Sequence, residues 1–128
     1  MEEKIKSFEE LEAYKASREF RIFIHSKIMP LILSKNEYDL LNQIKRSARS
    51  VTANIAEGYG RFHYMDNSKF CGVARGSIYE TLEHCITAND EKLISDELLL
   101  ESRTLFNKAI APLNGYINYL FRAAEKSK

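Results

Sequence analysis

Tryptophan is absent from this 128-residue chain, and cysteine, proline and glycine number only two, two and five. With 45% hydrophobic residues, that composition speaks against a disordered chain and for a compact helical one. Long apolar runs are also missing. No stretch approaches the ~20 apolar residues that cross a bilayer, so no membrane partner is expected. The opening Met1-Glu2-Glu3-Lys4-Ile5-Lys6 is charged and lacks the apolar core of a secretory signal. Cys71 and Cys85 on one helix would stand about 21 Å apart, too far to bridge, so reduced thiols in a cytoplasmic protein are expected. The length predicts a single domain, residues 1–128.

Histidine is sparse as well. His25, His63 and His84 are scattered, and none has Cys, Asp or Glu at a recognisable metal-ligand spacing. His84 and Cys85 are consecutive on a predicted helix and point about 100° apart. Ser77 in "ARGSIYE" falls inside a helix, which is not the setting of a nucleophile elbow. No catalytic residue, metal or cofactor is expected, and the chain reads as a non-enzyme.

Excess charge is absent overall but not locally. The formal net charge is +1, yet residues 40–76 hold six basic side chains (Lys45, Arg46, Arg49, Arg61, Lys69, Arg75) and two acidic ones (Glu57, Asp66). Both flanking segments are slightly negative. The positive charge is concentrated in the middle.

What is present is helical periodicity. Ser7, with Glu10 three residues on, predicts the start of a first helix running to about Met29, with Pro30 as its end or a kink. Ser34 and Glu37 predict a second start, with that helix running to about Glu57. Asp66 is the expected cap of a third helix ending near Asp90, and Ser95 precedes a fourth. The fourth carries Leu99, Phe106, Leu113 and Leu120 at seven-residue spacing, and Pro112 within it predicts a bend. Short connections then give an all-α, up-down-up-down antiparallel four-helix bundle.

Two helices carry more apolar surface than a monomer needs. On the first, Phe8, Leu11, Ile22 and Met29 share one face, while Ala13, Ala16, Phe20, Phe23 and Ile24 form a second arc. A wide core stripe would account for both arcs, but self-association through the second is the expectation. On the third helix Phe70, Val73, Ala74 and Cys85 read as core. Gly72 and Gly76 lie on the far side, where four-residue glycine spacing admits another backbone. Phe20, Phe23, Ile24, Gly72 and Gly76 are therefore the candidate oligomer interface.

The most regular stripe, Leu41, Ile44, Ala48, Val51 and Ile55, ends in "NIAEGYGR", residues 54–61. Glycines that cradle phosphate follow a strand and open a helix, whereas Gly58 and Gly60 close one at the negative end of its dipole. Gly58 is expected at C′ with a left-handed backbone, and Gly60 at a second bend. Away from the apolar stripe, Lys45, Arg46 and Arg49 share about 100° of arc with Asn42 nearby. Arg61 and His63 follow, interleaved with Tyr59, Phe62 and Tyr64. Cations beside aromatics suit phosphate contacts with base stacking. A solvated face with internal Arg–Glu pairing, Glu57 being available, is the plainer alternative.

"LLNQIKRSARSVTANIAEGYGR" followed by "KFCGVARGSIYETLEH" resembles the four-helix-bundle proteins encoded in intervening sequences of bacterial 23S rRNA genes. The matching positions are Leu40, Gln43, Arg46, Ser50, Val51, Asn54, Ile55, Ala56, Glu57, Gly58, Gly60 and Arg61, then Ala74, Gly76, Ser77 and Glu80. "FEELEAYKASREF" is similar to the family's first helix. Ser47 departs from the usual Ala, and "IMPLILSKNEYDLL" is longer than the family's first hairpin tip. The resemblance implies a ring-like homo-oligomer, a pentamer. It also implies kinship in fold with accessory proteins that work beside the reverse transcriptase of diversity-generating retroelements. Two functions follow as expectations. One is a non-enzymatic RNA binder using Lys45, Arg46, Arg49 and Arg61. The other is a protein-interaction scaffold for a nucleic-acid enzyme, without RNA affinity of its own. Asn54, Glu57, Gly58, Gly60 and Arg61 have a structural alternative, as a clamp at the corner between the second and third helices.

Overall fold

Ser7 opens residues 7–128, the part of the chain described in the computed structural model; the first six residues of the 1–128 domain lie outside it. The Ser7 Oγ accepts from the Glu9 backbone N–H at 2.9 Å and caps a single 3₁₀ turn, Phe8–Glu10. A helical arm follows in three pieces: α1 Glu12–Phe23, a π-helical turn Ile24–Ile28, and α2 Met29–Ser34. Helix α3 covers Tyr38–Tyr59, α4 Tyr64–Asp90 and α5 Asp96–Lys126. The arm packs on α3 and α5, and α4 packs on the same two helices, giving a four-cornered up-down-up-down bundle with short antiparallel links. Among the described residues there is no strand, and no helix is long and apolar enough to cross a membrane.

Pro30 does not end the first helix; it sits in the first turn of α2, where its missing N–H is tolerated. Its ring crowds the carbonyl four residues back, at Ser26. The turn before it is widened, and Met29 N–H reaches back five residues to the Ile24 carbonyl. The arm therefore continues to Ser34, whose Oγ donates to the Leu31 carbonyl rather than capping α3. Asn36, at φ 58°, turns the chain, and α3 starts after Glu37 without a side-chain cap. Helix α4 begins at Tyr64, two residues ahead of the expected Asp66 cap, with extended His63 before it. Ser95 caps α5 as read from sequence, its Oγ accepting from the Leu98 N–H. Helix α5 is continuous through Pro112.

The second apolar arc of the arm is core, and Leu11 and Met29 of the first arc pack against it. Ala13, Phe20, Phe23 and Ile24 are buried in the chain's own core with Ile28 and Ile32, whereas Ile22 is 41% exposed. A helix flanked by two neighbours buries a wide arc, so Phe20, Phe23 and Ile24 are not a free oligomer interface. Val73, expected in the core, is also exposed. Cys71 and Cys85 are buried free thiols on α4, and burial pushes both up to about 11, which keeps them protonated and unreactive.

Gly58 is not a left-handed helix stop, and no described glycine has a positive φ. It lies buried inside α3, where an added Cβ would meet Asn67 Oδ1 at 2.6 Å, the Asn67 carbonyl at 2.9 Å and Phe70 Cβ at 3.0 Å. Its role is the close approach of α3 and α4 at their corner. The cap is Gly60, at φ −75°, whose N–H bonds the Ala56 carbonyl. Gly58→Ala should therefore destabilise the protein by about 1–3 kcal/mol through overpacking. Exposed Gly115→Ala in mid-α5, with open space around it, should stabilise by about 0.5–1 kcal/mol. Thermal denaturation of the two variants checks the contrast.

Candidate nucleic-acid interface

Four residues at helical spacing, Asn42, Lys45, Arg46 and Arg49, line a shallow depression of about 290 Å³ on α3. On the opposite side Ile44, Ala48, Val51 and Ile55 are fully buried, and that burial fixes the rotation of the helix. Arg46 and Arg49 are exposed and Lys45 half-buried. Among the described residues none of the three cations pairs with a carboxylate.

The other cations of the basic segment divide differently. Arg61 Nη2 bonds Glu57 Oε2 at 2.8 Å, and its guanidinium lies 4.5 Å over the Phe70 ring. Arg75 Nε donates to Asn114 Oδ1 at 2.7 Å across to α5 and stacks on Tyr79. Both are committed to internal contacts. Glu57, the carboxylate available for pairing, thus serves Arg61 at the α3–α4 corner, about two turns beyond Arg49. Lys45, Arg46 and Arg49 stay without a carboxylate partner among the described residues.

Asn54 joins a polar seam rather than the corner. Its Nδ2 donates to the Ser50 carbonyl and Oγ at 2.8 and 2.9 Å. Ser77 Oγ donates to Ser50 Oγ at 2.8 Å, and Thr81 Oγ1 bonds Ser47 Oγ and the Ser77 carbonyl, both at 2.8 Å. Small hydroxyl residues on α3 and α4 thus satisfy one another where the helices meet. The second half of the "NIAEGYGR" motif is the clamp: Gly58 for contact, Gly60 for the cap, and Glu57–Arg61–Phe70 as the brace.

Arg21 on the arm is not among the residues the sequence singles out, and His25 enters there only as an isolated histidine. With fully buried Ser17 they form a polar row at four-residue spacing. Ser17 Oγ, Arg21 Nε and His25 Nε2 are buried without a hydrogen-bond partner. The signal in the sequence is the four-residue spacing of Ser17, Arg21 and His25, which the other polar residues of this amphipathic helix, Glu12, Lys15, Arg18 and Glu19, obscure. The row adds positive charge beside α3: burial first, then the charges of Arg21, Arg49 and Lys45, holds the His25 imidazole below its usual 6.5. Among the described residues no group of three or more His, Cys, Asp or Glu side chains could hold a metal ion.

The class defined here is an all-α four-helix bundle with an uncompensated cationic face on its second corner helix and no assembled catalytic constellation among the described residues. The 23S rRNA-intervening sequence protein family matches residues 9–115, most of the chain, and the chain belongs to that family. No curated protein gives a significant match.

A pH dependence follows from His25. The unfolded chain takes up a proton near 6.5 and the folded chain only at lower pH. The stabilisation from a neutral His25 is therefore full above 6.5 and is lost as pH falls toward the folded value. Urea unfolding between about pH 7 and pH 5 should show this loss, and His25→Gln should flatten the slope in that window.

Proposed function

We propose that this protein is a non-enzymatic, homo-oligomeric RNA-binding bundle that acts in the cytoplasm in connection with rRNA intervening sequences. The observation that carries this reading is the trio Lys45, Arg46 and Arg49, one face of one helix with no carboxylate partner among the described residues. Three such cations meet backbone phosphates without first breaking internal ion pairs. Arg61 acts in this reading as a brace rather than a contact. Repetition of the face around an oligomer, a ring-like pentamer by family expectation, multiplies weak contacts and lets a near-neutral chain hold a polyanion.

A second reading, the protein scaffold beside a nucleic-acid enzyme, draws support from the outer face of α4. There Met65 and Val73 are about half exposed, and Gly72 and Gly76 have open space where side chains would be. The same face is the candidate contact between copies, since its glycines admit a close helix.

Titration of labelled rRNA fragments at several salt concentrations separates the readings. RNA binding should weaken as salt rises, and Lys45/Arg46/Arg49→Ala, shown by sedimentation to keep its oligomeric state, should reduce the log–log salt slope by about two to three. Absence of binding at low salt overturns the RNA reading and favours the scaffold.

A further inference from the structure

The end of the bundle where α3 passes into α4 carries an aromatic cleft that the cationic face does not explain. One hollow there, about 470 Å³, is walled by Tyr59, Phe62, Tyr64, Tyr116 and Tyr119. That volume falls within the ordinary range of small-ligand sites. Phe62, in the bend between α3 and α4, is 95% exposed. Tyr116 and Tyr119 lie with their planes 13° apart, and Asn67 Nδ2 fixes Tyr116 by donating to its hydroxyl at 2.9 Å. The cleft thus offers several flat aromatic faces, one of them held in place by a hydrogen bond.

A second hollow of about 360 Å³ shares Tyr64 and Tyr119 and is bordered by Arg122 and Lys126 of α5. Neither cation pairs with a carboxylate among the described residues, and no acidic side chain lines either of these two hollows; Asp66 borders a larger one of about 610 Å³ beside Phe62 and Tyr64, together with Lys128. Flat aromatic faces flanked by uncompensated cations match a planar, electron-rich ring joined to a phosphate. We propose that this cleft binds an unpaired nucleobase of single-stranded RNA, stacked against Phe62 and Tyr119, with the adjoining phosphate on Arg122 and Lys126. The proposal rests on the RNA reading above and adds to it a preference for unpaired over duplex RNA. Stacking of this kind is tolerant of base identity, since every base has a π-face.

The test uses the full chain, with Phe62→Ala and Tyr119→Ala as variants. Phe62 carries almost no packing, so its loss should leave the fold intact, and circular dichroism verifies this. Affinity for single-stranded oligoadenylate should fall about 5- to 150-fold in each variant, while affinity for a duplex RNA should stay unchanged. A second arm titrates adenosine monophosphate and follows the aromatic NMR signals of Phe62 and Tyr119, which should shift. RNA binding that survives both substitutions undiminished overturns the cleft and leaves the RNA reading standing. Shifts with the mononucleotide but no RNA binding overturn the RNA reading and retain a nucleotide cleft. Silence in both arms overturns both. A change in oligomeric mass on Phe62→Ala without loss of RNA affinity assigns the cleft to a second copy and also overturns the proposal.

Discussion

The contact between α3 and α4 sets the geometry on which the rest depends. Small residues line it: Ser47, Ala48 and Ser50 on one helix, Ala74, Ser77 and Thr81 on the other, with Gly58 against Asn67 at the corner. Small side chains let the helices approach, and each hydroxyl that is buried there finds a partner in its neighbour. With this face of α3 turned inward and Ile44, Val51 and Ile55 in the core, Lys45, Arg46 and Arg49 have only the outside left to them. The cationic face is a consequence of how α3 is packed.

The motif "NIAEGYGR" then has a physical meaning at each position. Asn54 ties the seam, Ile55 fills the core, Glu57 holds Arg61 and Gly58 admits Asn67, while Gly60 ends the helix. Glu57 lies about two turns beyond Arg49, and among the described residues no carboxylate pairs with the stripe further along α3. An isolated exposed ion pair contributes at most about 1 kcal/mol to stability.

The bundle and its four long helical units were legible in the sequence, since heptad-like stripes and short links leave few other arrangements. The rotation of α3 was legible too, because Ile44, Ala48, Val51 and Ile55 recur on one face. The arm was not. Phe20, Phe23 and Ile24 make an apolar arc whether a neighbouring helix or a second subunit covers it, and periodicity cannot tell these apart. Pro30 signals an end or a kink because its missing donor breaks a regular α-helix, and the widened turn before it, with its five-residue backbone bond, lets the arm continue. Gly58 was placed correctly at a corner and given the wrong reason, because close approach depends on Asn67, a residue in the next helix. Arg21 and His25 were hidden in the same way: their nearness to Lys45 and Arg49 exists only once the arm lies on α3.

In the proposed reading α3, through Lys45, Arg46 and Arg49, is the surface that meets RNA. Ultraviolet cross-linking of the protein to single-stranded rRNA fragments, followed by peptide mass spectrometry, reads that surface directly. Cross-linked peptides should include residues 42–49 of α3, beside any from the aromatic cleft. Cross-links confined to the outer face of α4, around Gly72 and Gly76, with none on α3, would contradict it.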